Sequence, residues 1–279
     1  RDADSQSPIE GVEVVTGRKT VNIRIGKALI MASGGFGRDK KMLREYNPGI
    51  LDEYNCTNHP GATGETIRMA QAIGADSLQL AFIQLYPYAA PDTGILDVPA
   101  IYPFRGPGYG IVYVNKLGKR FVNEMERRDV VSMAQIKTKM KPTYSLFCEA
   151  MIPKMGTKEE VEKGIAKGRF VKGETITELA QKLGIPADSL GETIRNHNRY
   201  MAEGKDPEFG RQFTKVMIPL TEGPFYAVAQ WPAVHHTMGG LRINKDAQVI
   251  DIWGKVIPCF YAAGEVTGGV HGANRLGGN

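Results

Sequence analysis

The sequence predicts a mixed fold of the α/β and α+β classes. Three observations support this prediction. β-rich apolar runs end in glycine-rich turns near both ends of the chain. The composition changes between Phe82 and Val234, where turn-rich stretches alternate with strands and helices. At His236 the glycine-rich pattern returns. Composition therefore divides the chain near Phe82 and near Val234.

Length and composition exclude several classes of protein. A chain of 279 residues can form one large domain or two medium ones. The net charge of +5 is mild and no Lys/Arg block occurs, so no nucleic-acid partner is expected. The three cysteines are far apart and form no C-x-x-C motif, which argues against zinc, attached haem and a disulfide framework. No apolar run has the length of a membrane segment. We expect a soluble protein, in a bacterial-type periplasm or in the cytoplasm.

Glycine and proline residues predict the bounds of the first strands and the first helix of the chain. Gly17 and Gly26 separate three β-rich runs, and this pattern predicts a meander. The segment Asp39–Tyr46 predicts a short helix, which the turn residues Asn47–Gly49 end. The three runs are Val12–Val15, Val21–Ile25 and Ala28–Ala32.

A tight turn, Gly61–Gly64, precedes a second helical pattern. Ile67, Ala70 and Ile73 recur at helical spacing after it. A glycine-rich turn that opens a helix offers free N–H groups at the positive end of the helix dipole, which suits an anionic ligand. An ordinary loop before an amphipathic helix is the alternative interpretation.

The middle of the chain predicts further strands and helices. Ile111–Val114 reads as a strand and Thr157–Lys167 as a charged helix. A capping box at Thr175 and Glu178 opens a helix that continues to about Leu183. Pro186 stands at a first helical position, and Leu190, Ile194 and His197 recur on one face after it. We expect His197 to be a helix-surface or packing residue rather than a ligand. Two stretches rich in Pro and Gly predict turns: Pro87–Pro91 and Pro103–Gly110.

The final segment, AAGEVTGGVHGANRLGGN, follows the apolar run Ile257–Ala263. An apolar run that ends in a glycine-rich turn is typical of a buried strand that brings backbone amides to a ligand. The carboxylate of Glu265 suits sugar hydroxyls. The planar guanidinium of Arg275 suits a carboxylate or a phosphate. A structural loop with a surface arginine is the alternative.

This final segment resembles the part of the fumarate reductase and succinate dehydrogenase flavoproteins that contacts FAD and grips the substrate. The similarity is greatest to the soluble flavocytochrome c-type branch, which includes urocanate reductases. Three more segments resemble the family in the same order: ASGGFG (Ala32–Gly37), NKLGKRFVNEMERRD (Asn115–Asp129) and WPAVHHTMGG (Trp231–Gly240). The resemblance implies a discontinuous, partial Rossmann-like FAD-binding domain, formed by residues 1–82 and 235–279. Residues 83–234 would form an inserted α+β clamp, or capping, domain.

The family's dinucleotide-binding fingerprint, G-x-G-x-x-G, is absent from this sequence. The family places it near the N-terminus of the complete flavoprotein. Together with Arg1 in place of Met and an ending in mid-motif, this absence predicts a fragment of a longer protein. It leaves open whether this chain binds FAD by itself, and haem is not supported within it.

The resemblance implies an FAD-dependent oxidoreductase that reduces the C=C bond of an α,β-unsaturated carboxylate. Hydride would come from flavin N5 and electrons from an external donor, which can be a cytochrome, quinone-linked or nicotinamide-linked. Two alternatives stay open: a related flavin dehydrogenase that runs in the oxidative direction, and a non-catalytic fragment without bound flavin.

The family's proton donor corresponds to Arg128. The alternative for this residue is a salt-bridge cluster at the start of a helix. A second catalytic arginine, which refills the proton in fumarate reductases, corresponds to Arg105. The family has a glutamate three residues ahead of that arginine, whereas this chain has Tyr102, so the route of the proton is open.

The substrate residues that the resemblance implies depart from fumarate reductases at one end. His236 and Arg275 would bind one carboxylate, and Thr63 would lie beside the substrate. Tyr86 replaces the histidine that holds the second carboxylate of fumarate, and Tyr102 is a further candidate contact. This aromatic region favours a urocanate-like or arylacrylate-like acid, unless the tyrosines only pack the clamp. No metal ligand is predicted, and the expected FAD contacts are Ser33, Gly34, Gly35, Ala62, Gly64, Gly240, Gly264, Glu265, Asn274, Gly277 and Gly278.

Overall fold

The computed structural model describes residues 7–50 and 54–276. Its strands are β1 (Gly11–Thr16), β2 (Lys19–Arg24), β3 (Leu29–Met31), β4 (Ser77–Leu78), β5 (Ile83–Ala89), β6 (Val112–Val114), β7 (Thr143–Cys148), β8 (Phe170–Gly173), β9 (Phe225–Thr237), β10 (Gly240–Leu241), β11 (Gln248–Ile250) and β12 (Val256–Ala262). Its α-helices are α1 (Lys40–Tyr46), α2 (Glu65–Ala72), α3 (Val98–Arg105), α4 (Arg128–Thr138), α5 (Ile152–Met155), α6 (Lys158–Ala166), α7 (Ile176–Leu183) and α8 (Ala187–Glu203). Short 3-10 helices occur at Gly106–Tyr109, Glu149–Met151 and Gly264–Val266.

The chain divides into two compact units. The first unit comprises residues 1–53, 58–84 and 234–279, and the second comprises residues 54–57 and 85–233. The first unit is therefore discontinuous in sequence. Strands β5 and β9 each run from one unit into the other, because the division falls within both of them.

Small sheets form the first unit. Strands β1 and β2 make an antiparallel hairpin, and Gly17 in its turn has a φ of +62°, which glycine adopts without strain. Strand β3 pairs instead with β12 in parallel, in a sheet of order β11-β12-β3. The predicted meander is thus wrong for its third strand. A parallel pair needs a long connection, so the spacing of neighbouring runs does not reveal it.

The two predicted helices of the first unit are present. The Asp39 carboxylate caps α1 by accepting hydrogen bonds from the backbone N–H groups of its first turn, and the helix ends at Asn47. Helix α2 begins directly after Gly64, whose φ of +66° lies in the left-handed region. Ile67 and Ala70 of α2 are buried, as their helical spacing predicts.

A five-stranded sheet forms the second unit. Its order is β5-β9-β7-β6, and β8 also pairs with β9. The pairs β6–β7, β7–β9 and β8–β9 are antiparallel. The sheet and its helices enclose one hydrophobic core, whose fully buried members include Tyr113, Leu146, Phe147, Met151 and Val228.

The helices of this unit match their sequence signals with two differences. Helix α6 begins in a complete capping box between Thr157 and Glu160. At α7 the Thr175 hydroxyl accepts from Glu178 N, but the Glu178 carboxylate accepts from Glu174 N, so only half of the predicted box forms. Pro186 is the residue before α8 rather than its first residue. His197 of α8 is buried, and its ring lies 5.7 Å from that of Phe213.

Helix α3 corrects the prediction of a turn that begins at Pro103. The helix starts after Asp97, whose carboxylate accepts a hydrogen bond of 3.2 Å from Ala100 N, and it continues through Arg105. Pro103 is tolerated inside it, and a 3-10 turn follows at Gly106–Tyr109. Proline favours a turn through local geometry, but packing of the buried side of α3 keeps the chain helical at Pro103.

Neither a membrane helix nor a metal cluster is present in the described ranges. A helix that crosses a bilayer needs about 20 apolar residues, and none of the helices given above combines that length with that hydropathy. The same residues contain no group of three or more His, Cys, Asp or Glu side chains arranged to bind a metal ion.

Candidate functional site

The loop after β3 passes directly against two segments from the C-terminal part of the first unit. A Cβ atom on Gly35 would lie 2.1 Å from Thr237 Oγ1 and 2.6 Å from Glu265 Oε1, so a larger residue would displace these side chains. Phe36 N donates to Thr237 Oγ1 over 3.3 Å. Gly34 has a φ of +82° and an open Cα, so the loop exposes backbone beside these contacts. Three distant parts of the sequence therefore meet at Gly35.

Glu265 is the acceptor at the centre of this junction. It lies in the 3-10 turn after β12, and its Oε1 accepts from Thr237 N (2.9 Å) and from Thr237 Oγ1 (3.1 Å). The preceding residue, Gly264, has a φ of +82° and nothing within 4 Å of its Cβ position. Gly240 packs against the same turn, since a Cβ there would meet Val266 O at 2.2 Å. The expected FAD contacts Gly35, Gly240, Gly264 and Glu265 thus lie around one turn.

The Gly61–Gly64 turn packs on the loop after β3. Arg38 N donates to Ala62 O over 2.9 Å, and a Cβ on Gly64 would come within 2.4 Å of Phe36 Cβ. Ser33 Oγ and Thr66 Oγ1 are hydrogen-bonded. The N–H groups of Ala62 and Thr63 are not free as predicted, because they donate to His59 O and Gly61 O.

His236 lies at the same junction. Its Nδ1 is 3.5 Å from Glu265 Oε1, and its ring meets that of His271 edge-on with centroids 5.3 Å apart. Burial lowers the pKa of His236 to about 4, and the nearby charges of Arg275, His271 and His235 add to this effect. The imidazole is therefore neutral at pH 7, and its contact with Glu265 is a weak polar contact rather than an ion pair.

Gln84 anchors the segment that carries Arg275. This buried side chain donates from Nε2 to Asn274 Oδ1 over 3.0 Å and to the carbonyl oxygen of Arg275. Its Oε1 lies 3.4 Å from Arg275 Nη1. Sequence reasoning did not assign Gln84 a role, nor His271. The available signal for Gln84 was a polar residue within the apolar strand β5. Gly277 and Gly278, two of the expected FAD contacts, lie outside the described residues.

Arg128 is the first residue of α4 in the second unit. Its Cζ lies 5.0 Å from the centroid of the Tyr86 ring and 4.9 Å from that of Phe104. Asp129 pairs with Arg127 instead, over 2.9 Å. Within the described parts of the chain, Arg128 makes neither an ion pair nor a hydrogen bond. The alternative for Arg128 was a salt-bridge cluster at the start of the helix. An ion pair does form there between Arg127 and Asp129, but Arg128 is not part of it.

Arg105 and Tyr102 lie on a different side of α3 from Phe104. Arg105 Nη1 donates to Met155 O over 3.0 Å. The Tyr102 hydroxyl lies 3.3 Å from Thr157 O, and its ring packs against Phe147 and Phe170. Only 1% of Tyr102 is exposed, and burial followed by the Glu160 carboxylate raises its pKa to about 12. The structure therefore brings Tyr86 to Arg128, whereas the contacts described for Arg105 and Tyr102 are with other residues.

Comparisons with known proteins show what this chain is similar to. The chain is 38% identical over 263 residues to NADH:acrylate oxidoreductase of Vibrio harveyi. This match covers 92% of the chain and 25% of that protein. It is 37% identical over 274 residues to urocanate reductase of Eggerthella lenta, covering 94% of the chain and 44% of that protein. The chain spans less than half the length of either relative.

A solved structure is similar over the whole chain. The open conformation of a flavocytochrome c3 fumarate reductase matches with a TM-score of 0.77 and 34% sequence identity, covering 100% of this chain and 47% of that one. The family model described as FAD binding domain matches residues 3–279. The resemblance predicted from the sequence is confirmed, and the chain belongs to the FAD binding domain family of flavoproteins.

Proposed function

We propose that the full-length protein is an FAD-dependent reductase of the C=C bond of an α,β-unsaturated carboxylate. One observation carries the proposal: Arg128 has no acidic partner in the described residues, in a segment that resembles the proton-donor segment of fumarate reductases. The named relatives reduce the same class of substrate, since their names specify acrylate, urocanate and fumarate.

The residues of the first unit fit the cofactor. Gly35 leaves no room for a side chain beside Glu265, while Gly34 and Gly264 present open backbone at positive φ. Such a cradle suits a flat, polar ligand that approaches the main chain closely. We propose that this unit is the partial FAD-binding domain and that Ser33, Ala62, Gly64, Gly240, Glu265 and Asn274 contribute to the cradle. Reduced FAD would supply a hydride to the β carbon of the substrate.

His236 and Arg275 would bind the substrate carboxylate. Both belong to the first unit, and Gln84 fixes the backbone of the segment that carries Arg275. An arginine fork takes a carboxylate with two hydrogen bonds, which also polarises the double bond. His236 is neutral before an anion binds, so carboxylate binding would favour its protonation. Thr63 is a further proposed contact.

Arg128 would supply the proton to the α carbon. Hydride addition to the β carbon places negative charge on the α carbon, and an N–H bond of Arg128 breaks as the new C–H bond forms. An external donor would restore the two electrons that leave with the hydride, and a proton from solvent would restore the Arg128 guanidinium. We propose that the second unit is the clamp domain, since it carries Arg128, Arg105 and Tyr86. The hydrogen bond from Arg105 to Met155 O supports a structural role for Arg105 beside the proposed role in refilling the proton.

The substrate is proposed to be a urocanate-like or arylacrylate-like acid with one carboxylate. Tyr86, rather than histidine, stands where fumarate reductases hold a second carboxylate. Its neighbours Tyr88 and Phe104 make the surroundings aromatic. A flat apolar tail suits such surroundings better than a second negative charge.

Oxidation of reduced viologen by the full-length flavoprotein tests the proposal. The panel contains fumarate, urocanate, cinnamate, acrylate and methacrylate. We expect turnover with one aromatic acid and little with fumarate. Turnover mainly with fumarate would overturn the substrate assignment, and no turnover by a flavin-loaded protein would overturn the reaction class.

A further inference from the structure

Two aromatic rings from separate elements enclose the guanidinium of Arg128. Tyr86 comes from strand β5, and Phe104 comes from the last turn of α3. The Arg128 Cζ lies about equally far from the two ring centroids, at 5.0 Å and 4.9 Å. Both distances lie within the reach of cation–π attraction, about 6 Å. In the proposed function Phe104 only contributes to the aromatic surroundings of Tyr86, and it has no role toward Arg128.

Contact with two aromatic rings differs from an ion pair because it leaves the N–H groups of Arg128 available. A carboxylate partner would take up N–H groups of the guanidinium in directional hydrogen bonds. The ring faces attract the cation through their quadrupole instead. The orientation of the guanidinium is therefore restricted, while its N–H groups remain available to a reacting atom. In the part of the chain that the structure describes, no other group occupies them.

A buried layer supports the two rings. Tyr88 meets the Tyr86 ring edge-on at 5.2 Å, the Phe104 ring at 6.4 Å and the Tyr113 ring at 5.8 Å. The Tyr113 hydroxyl donates to Pro103 O over 2.6 Å, directly before Phe104. Phe104 itself is 48% exposed. Phe104 is thus the exposed ring of the two that contact Arg128, whereas Tyr86 and the rings beneath it are buried.

We propose that Phe104 is a positioning residue for Arg128. Together with the Tyr86 ring, it holds the guanidinium in the orientation from which a proton is delivered. The proposal rests on the proposed function of Arg128 as the proton donor. It also gives the aromatic region a use other than binding the substrate tail, because one face of each ring is taken by the guanidinium.

Steady-state kinetics of Phe104→Leu in the full-length flavoprotein tests the proposal. Leucine keeps an apolar side chain but has no ring. We expect kcat to fall about tenfold, because cation–π attraction of this size corresponds to about one decade in rate. KM should change less than about twofold, since His236 and Arg275 hold the carboxylate. Phe104→Tyr retains the ring and should retain kcat.

A series of fluorinated phenylalanines at position 104 separates the ring's electrostatics from its packing. Fluorine weakens the negative potential of the ring face with little change in shape, so log kcat should fall steadily with each added fluorine. The matched control is Phe209→Leu, which removes a cation–π contact of 5.0 Å at Arg120. The guanidinium of Arg120 is held by ion pairs to Glu124 and Asp206, so kcat should stay unchanged in that variant.

The outcomes separate this proposal from the proposed function. An active wild type with unchanged kcat in Phe104→Leu, or with no trend along the fluorinated series, overturns the role of Phe104 alone. A wild type inactive on every enoate overturns the proposed function. In that case crystal structures of the full-length wild type and Phe104→Leu decide the positioning role. The guanidinium should be ordered over both rings in the wild type and displaced in the variant, and an unchanged Arg128 would overturn the proposal.

Discussion

Arg211 Nη1 lies 3.0 Å from Glu124 Oε2, and neither side chain has any exposed surface. The same carboxylate also pairs with Arg120, at 2.8 Å. Arg211 further donates to the carbonyl oxygens of Pro107 and Ile111, which flank the turn after Arg105. One buried guanidinium thus ties the turn after α3 to the segment that leads into Arg128. Burial and hydrogen bonding of both charges make this network sensitive to the loss of one partner.

The first prediction concerns Arg211→Met. It leaves part of the Glu124 charge uncompensated and two carbonyl groups without their donor, so the free energy of unfolding should fall by about 3 to 5 kcal/mol. Chemical unfolding of the full-length protein measures this change. The control is Lys163→Ala at the exposed Lys163–Glu159 pair, which should leave the midpoint almost unchanged because water and salt screen that pair. Equal midpoints for both variants would contradict the prediction.

The second prediction concerns stability against pH and the buried His197. Neither ring nitrogen has a hydrogen-bond partner among the described residues. Burial lowers its pKa from 6.5 to about 4; the charges of Glu124 and Asp206 oppose this shift, and those of Arg211 and Arg120 add to it. Between about pH 4 and pH 6.5, His197 therefore binds a proton in the unfolded chain but not in the folded chain. The contribution of His197 to the free energy of unfolding is therefore fully present above about pH 6.5. As the pH falls from there to about 4, the free energy of unfolding decreases by about 3 kcal/mol.

Comparison of the wild type with His197→Leu isolates this effect. The variant lacks the titrating group, so its unfolding midpoint should depend less on pH across the same window. Other histidines and carboxylates titrate in both proteins and cancel in the difference. A difference between the two proteins that does not vary with pH would show that His197 is not responsible.

The third prediction concerns His236 and ligand binding. Its pKa of about 4 in the free protein rises when a carboxylate binds beside it, so the complex takes up a proton. The affinity for a saturated arylpropionate, which carries no imidazole, should increase as the pH falls from about 7.5 to about 5.5, a range above the titration of its carboxyl group. Calorimetry in buffers of different ionisation enthalpy should show proton uptake. His236→Asn should abolish that uptake, and equal uptake by both proteins would exclude His236.

The fourth prediction concerns Arg128→Lys. Lysine keeps the positive charge but lacks the planar guanidinium that two rings can stack on. We expect kcat to fall about 100-fold or more while KM stays similar, because the carboxylate is held elsewhere. Steady-state assays of the full-length enzyme measure both constants. Unchanged turnover would remove Arg128 as the proton donor.

The fifth prediction concerns Tyr86→His and specificity. A histidine at this position can pair with a second carboxylate, so the ratio of kcat/KM for fumarate to that for urocanate should rise. Tyr86→Phe is the control, because it keeps the ring and adds no positive charge. If the ratio stays the same in Tyr86→His, another residue reads the distal part of the substrate.

Local signals predicted many elements of the fold correctly. Asp39, Thr157 and Gly64 each mark the start of a helix, because capping depends on a few adjacent residues. The parallel pairing of β3 with β12 and the helix through Pro103 were missed. Strand partners are distant in sequence, and the burial of one side of α3 outweighs the tendency of proline to form a turn.

The sequence by itself determined the family and the residue types of the candidate site. Short strings such as HHTMGG and HGANRLGG are local, so they can be recognised without coordinates. Only the tertiary structure decided that Gln84 anchors the Arg275 segment, that burial makes His236 neutral, and that Phe104 rather than Tyr102 faces Arg128. These properties depend on distances and desolvation between residues that are far apart in the chain, and a one-dimensional pattern does not encode them.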